Sequence, residues 1–121
     1  MTLNNSQIFE YAQNLGVFAN CEIKLPIKIN FFLQKNIRTI TTAAQEIDFA
    51  RIEIAKNFGV LDLETNSYAF PQEKLTEVSQ ELTDLFSIEQ DLPITMLKLD
   101  NFADVELTYQ QMSAIMFMIE E

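Results

Sequence analysis

Histidine and tryptophan are absent from this chain, cysteine occurs once and glycine twice, and each shortage closes off a class of protein. Without histidine the commonest general base and the commonest metal ligand at neutral pH are missing, so an enzyme would have to work with carboxylates alone. A single cysteine, Cys21, permits neither an intramolecular disulfide nor a cysteine metal cluster, which suits a reducing cytoplasm. With no histidine to activate it, Cys21 is expected to serve as a small half-buried apolar residue rather than a reactive thiol. Two glycines and three prolines leave little material for the tight turns of a many-stranded β-protein and favour long helices joined by few loops. Glycine-rich phosphate loops, nucleophile elbows and zinc spacings are also missing, so no cofactor and no catalytic residue is assigned. The opening MTLNNSQIFE has no basic region and no uninterrupted apolar segment, so it is not expected to act as a signal peptide. No window approaches the roughly 18 uncharged apolar residues of a membrane span, so no membrane partner is expected.

What is present is enough for one core. A length of 121 residues, 48% apolar content and ten phenylalanines predict a single folded domain over residues 1–121, without repeats or a linker. The formal charge of −10 is unevenly placed. From Met1 to Phe58 there are six Lys/Arg and five Asp/Glu, whereas from Gly59 to Glu121 there are two and thirteen. Direct nucleic-acid binding is disfavoured by that balance.

The apolar spacing predicts a helix-dominated α+β fold, with one long central helix, three shorter helices and a small antiparallel sheet. Asn4 can cap a first helix from Asn5 to Leu15, with Leu3 and Ile8 in staple positions, Ile8, Tyr11, Ala12 and Leu15 inward, and Gly16 as a left-handed stop. Pro26 and Gly59 bracket the long helix, in which Leu33, Ile37, Ile40, Ala44, Ile47, Ile54 and Phe58 recur in steps of four and three, broken only at Arg51. The segment VLDLETNSYAF reads as a small hairpin. Pro71 opens a third helix to Phe86 with Leu75, Val78, Leu82 and Leu85 inward, and Leu92 to Leu99 is strand-like despite Pro93. Thr108 and Gln111 can form a capping box, and Leu107 and Met112 a staple, for a last helix from Tyr109 to Ile119.

Three surfaces carry candidate functions. Asp62, Glu64, Asn66 and Glu73 have the spacing of a calcium loop, but Ser67 stands where glycine makes the sharp turn, so a hairpin followed by a helix cap is the preferred reading and no metal ligand is assigned. Glu73, Glu77, Glu81 and Asp84 form an acidic ridge: ordinarily a solvated face that keeps the chain soluble, alternatively a phosphate mimic for a channel on another protein. The third is the run KINFFLQKNIRTI, basic and greasy in an acidic chain. Phe31, Phe32 and Leu33 point in three directions on a helix, and no single neighbour covers them all. Ile29, Phe31, Phe32, Lys35 and Arg38, with Met116 and Phe117 of the equally apolar last segment, are therefore expected to form an interface, most simply a homodimer. The competing reading makes these faces the intramolecular core. Lys24, Lys28, Lys35, Arg38 and Arg51 could form a phosphate-contacting stripe, but are expected rather to face the acidic second half of their own chain or of a second copy.

Taken together, the short N-terminal helix, the run IKLPIKINFFLQKNIRTI, the long helix ending in Gly59, the turn before YAFPQEKL, the strand-like LPITMLKL and the terminal LTYQQMSAIMFMIEE resemble an uncharacterised family of short bacteriophage and prophage proteins of Gram-positive bacteria. The resemblance implies a phage setting, in a bacterial cytoplasm or on a virion, and carries over no catalytic residue. In that setting the missing histidine, the missing phosphate loops and the single unactivated cysteine point to a non-catalytic protein-binding or assembly protein whose partner is another phage or host protein. The alternative is an acidic inhibitor of a host nucleic-acid enzyme, of the anti-restriction or anti-CRISPR type.

Overall fold

The computed structural model describes residues 1–18 and 24–120. Its spine is the helix α2 (Ile27–Phe58), preceded by α1 (Asn5–Leu15) and followed by α3 (Leu75–Ser87) and the short α4 (Tyr109–Ile115). Six strands of two or three residues join them in pairs: β1 (Thr2–Asn4), β2 (Val60–Asp62), β3 (Ser67–Ala69), β4 (Glu89–Asp91), β5 (Leu97–Lys98) and β6 (Ile119–Glu120). Cys21 lies outside the described residues.

Local chemistry sets the helix ends. The Asn4 side chain accepts from the Gln7 amide at 2.8 Å while the Gln7 side chain accepts from the Asn4 amide at 3.0 Å, which starts α1 at Asn5. Thr108 and Gln111 make the same reciprocal pair at 3.1 and 2.9 Å in front of α4. Pro26 leads into α2, its carbonyl accepting from the Asn30 amide at 3.0 Å. Gly59 ends α2 because the chain turns back tightly there. A β-carbon at Gly59 would stand 2.6 Å from the Ala55 carbonyl oxygen and 3.1 Å from both Phe70 and Tyr68.

The core lies on one side of α2, where α1 and α3 pack. Ile8 and Leu15 of α1, Leu33, Ile40, Ala43, Ala44 and Ile47 of α2, and Leu97, Phe102, Ala114, Ile115, Met118 and Ile119 of the last third form one buried cluster. The predicted inward stripe of α2 is therefore present, but only Leu33, Ile40, Ala44 and Ile47 are fully buried; Ile37, Ile54 and Phe58 are half-buried.

Several expectations are corrected. Gly16 is not a left-handed stop: its φ is −57°, and the chain continues into a 3-10 turn, Gly16–Phe18. The third helix begins with a 3-10 turn, Gln72–Lys74, and Leu75 is exposed rather than inward, leaving Val78 as the buried residue of α3. The last helix stops at Ile115 and tightens into a 3-10 turn, Met116–Met118, before β6. Instead of one small sheet there are three two-stranded pieces: β1 with β4 and β2 with β3, both antiparallel, and β5 with β6, parallel. The hairpin turns as expected between β2 and β3, with Asn66 supplying the left-handed residue at φ 53°.

Leu92 to Leu99 is strand only at Leu97–Lys98. Pro93 has no amide proton, and the backbone of Thr95 pairs with a side chain: Asn36 of α2 donates to the Thr95 carbonyl at 2.8 Å and accepts from the Thr95 amide at 2.9 Å. Asn36 is completely buried. Its amide presents the same donor and acceptor as a peptide unit, so it occupies the place of a neighbouring strand.

Replacing Asn36 by Ala should cost roughly 2–4 kcal/mol of stability, because it leaves both backbone groups of Thr95 without their partner. Gln34→Ala, one exposed position along the same helix, should change stability by no more than about 0.5 kcal/mol; urea unfolding of both variants reads the difference. The two glycines should separate in the same assay. Gly16→Ala, with helical φ and nothing within 4 Å of an added β-carbon, should stabilise by about 0.4–1 kcal/mol, whereas Gly59→Ala should destabilise.

Candidate functional site

At 3.6 residues per turn, the residues of α2 divide into two opposite faces. Leu33, Asn36, Ile40, Ala43, Ala44 and Ile47 are buried on one. The other carries Lys28, Phe31, Lys35, Arg38, Thr42, Gln45, Phe49, Ile52 and Lys56, spaced alternately three and four apart, and every one of them is exposed. The phenylalanines stand out, Phe31 at 57% and Phe49 at 71% exposure. They are eighteen residues apart, five full turns, and so lie on one line along the helix. Ile27, also exposed, lies beside that line at its N-terminal end.

The expected interface residues divide between this face and the core margin. Phe31, Lys35 and Arg38 lie together on the outer face of α2. Ile29 and Phe32 are half-buried and pack against the core cluster, Phe32 with its ring edge-on to Phe31 at 5.4 Å. Phe117 also packs against the core, its ring stacked on Tyr11 at a centroid distance of 4.2 Å, while Met116 is exposed. Sequence reading missed Phe49 and Ile52; a comparison of positions a whole number of turns apart would have found them, whereas a search for local apolar runs does not.

Charge on α2 is graded along its length. From Ile27 to Gln45 the helix holds Lys28, Lys35 and Arg38 and no acidic residue; from Glu46 onward it holds Glu46, Asp48 and Glu53 with Arg51 and Lys56. Among the described residues Arg51 makes no ion pair with the acidic second half of the chain; it pairs with Asp48 of its own helix at 2.6 Å, and Lys56 approaches Glu53 at 3.7 Å. Among the described residues Lys28, Lys35 and Arg38 make no ion pair.

Glu77, Glu81 and Asp84 lie along α3 and Glu73 in the turn before it, all four exposed. Asp84 accepts from the Gln80 side chain at 2.8 Å, and none of the four forms an ion pair among the described residues. The calcium-spaced residues lie mainly on the hairpin. Asp62 closes β2 and accepts from the Glu64 amide at 3.0 Å, and the described residues bring together no group of three acidic, cysteine or histidine side chains.

A cavity of about 350 Å³ opens between the C-terminal part of α2, the hairpin and α3, walled mainly by Ile52, Ile54, Tyr68, Phe70, Val78 and Leu82. Two of its polar side chains are already engaged: Arg51 by Asp48, and Ser67 by Thr65 at 2.8 Å. The walls offer contact area to an apolar group and no carboxylate. No helix among the described residues is long and apolar enough to cross a membrane. No family model matches the chain, and neither the curated proteins nor the solved structures contain a match to it. The resemblance to phage proteins therefore rests on the order of residues alone.

The adjacent phenylalanines provide a direct check on the two faces. In dilute solution Phe32→Ala should lower stability by about 2 kcal/mol through lost core contacts, while Phe31→Ala should stay within about 0.5 kcal/mol of the parent, both measured by urea unfolding.

Proposed function

We propose that the chain is a non-catalytic protein-binding or assembly protein of a phage or prophage, working in the bacterial cytoplasm or on the virion, and that it associates with a second copy of itself. The observation that carries this reading is the outer face of α2, where Phe31 and Phe49 stand exposed on one line among cations without ion partners in the described structure. Isolated exposed apolar residues are ordinary; an aligned pair of phenylalanines with Ile27 and Ile52 nearby marks a contact surface. Neither this face nor the cavity beside the hairpin gathers an acid, a base and a nucleophile around a shared point, which favours binding over turnover.

A second reading uses a different face. The ridge of Glu73, Glu77, Glu81 and Asp84 is exposed and free of ion pairs among the described residues, which is what a phosphate mimic presents to a basic nucleic-acid channel.

Light scattering at protein concentrations on the order of 100 µM should give the mass of a dimer, and Phe31→Asp should return it towards that of a monomer without loss of helical circular dichroism. A monomeric mass for the parent chain at that concentration would remove the self-association reading. For the second reading, joint replacement of Glu77, Glu81 and Asp84 by Lys should abolish inhibition of a restriction or CRISPR nuclease; inhibition that survives the reversal, or that the parent chain never shows, counts against mimicry.

A further inference from the structure

The outer face of α2 is self-complementary when it meets a copy of itself running in the opposite direction. Phe31 and Phe49 are equally distant from Ile40 along the helix. Lys28 and Glu53, and likewise Lys35 and Glu46, are equally distant from the point between Ile40 and Thr41. These four charged residues also share one flank of the aromatic line, their directions agreeing within about 20° at 3.6 residues per turn. All six side chains belong to exposed residues.

Resting on the self-association reading above, we infer that the partner of this face is a second copy of the chain, with the two α2 helices antiparallel about a two-fold axis beside Ile40. A two-fold axis perpendicular to both helices keeps each flank on its own side and reverses only the direction along the helix. Phe31 then lies over Phe49 of the partner subunit, Lys35 beside Glu46 of the partner subunit, and Lys28 beside Glu53 of the partner subunit. The symmetry repeats each contact, giving two aromatic contacts and four ion pairs. In a parallel arrangement the two-fold axis runs along the helices and exchanges the flanks, so Lys28 and Lys35 would meet no glutamate of the other copy, and the charges select the antiparallel one. The alternating three and four spacing of the exposed residues is the seam along which two helices pack side by side. The centre of that seam is polar, with Arg38 next to Thr42 of the partner subunit, so the apolar contacts sit towards the two ends and the charges chiefly set direction and register.

The test separates this geometry from self-association as such. Sedimentation equilibrium of the full chain is measured for the parent, for Lys35→Glu, for Glu46→Lys and for an equimolar mixture of the two variants. Each variant alone should dimerise roughly tenfold more weakly, since two attractions become two repulsions, and the mixture should recover the parental affinity because every pair is again opposite in sign. Glu46 is a better reporter than Glu53, which Lys56 already approaches within its own chain. In a Cys21→Ser background, oxidation of a mixture of Phe31→Cys and Phe49→Cys chains should give the mixed disulfide, and neither variant alone should cross-link. If the parent dimerises but the mixture stays as weak as its components, or Phe31→Cys cross-links to itself, the antiparallel register is wrong while self-association stands. If the parent is monomeric throughout, both are wrong.

Discussion

The fold depends on a side chain that behaves as backbone. Asn36 sits completely buried midway along the first half of α2, and its amide pairs with both backbone groups of Thr95 while its nitrogen also lies 3.4 Å from the sulfur of Met118. A peptide group turned towards the core without a partner is costly, and Asn36 supplies the partner that the half-buried backbone of Thr95 has no strand to provide. Once Thr95 is held, Leu97 is placed to pair in parallel with Ile119, and Ile115, Met118 and Ile119 close over the helix. Asn5 does the same for the other end of the molecule. It is buried, its side chain donates to the Leu85 carbonyl at 2.8 Å and accepts from Gln90 at 2.7 Å, and its amide donates to the Ile88 carbonyl at 2.9 Å. The open end of α3 and the start of β4 are thereby fastened to the first turn of α1. Two asparagines thus do the work of sheet that the chain is too short in strand to build.

What could be read from the sequence follows from the range of each interaction. The starts of α1 and α4 were legible because the capping pairs Asn4 with Gln7 and Thr108 with Gln111 lie three residues apart. The limits of α2 were legible because Pro26 and Gly59 act on their own backbone. The strands β1, β4 and β6 were not: each is two or three residues long, too short for an alternating pattern, and exists because of a partner far away in the chain. Gly16 misled because glycine after an apolar stripe is an ordinary helix stop, yet here the chain tightens into a 3-10 turn with right-handed angles. Leu92 to Leu99 misled because its composition suits a strand while its hydrogen-bond partner is a side chain.

The candidate surface was half legible for the same reason. That Phe31, Phe32 and Leu33 cannot all be covered from one side follows from helix geometry, and Phe31 is indeed the one left exposed. Which other residues share its face depends on how far the core extends along α2. The helix is about 48 Å long at 1.5 Å per residue, and full burial ends at Ile47. Beyond that point the hairpin and α3 lean against the helix around a cavity, without making a second fully buried cluster.

The two functional readings place different demands on the chain, and the structure lets it meet both. The outer face of α2 lies opposite the side on which α1 and α3 pack, while Glu77, Glu81 and Asp84 are exposed on α3. Pairing through α2 would therefore cover none of the ridge and would carry two copies of it at a separation set by the two-fold axis. Lys28 and Lys35 of the first half of α2 matter to both. Buried against glutamates of a partner, they would no longer offset the acidic second half, and the dimer would present to any third molecule a more uniformly negative surface than either chain alone. On the proposed readings, self-association and recognition of a basic partner would be successive uses of one uneven charge distribution, the first by its basic part and the second by its acidic part.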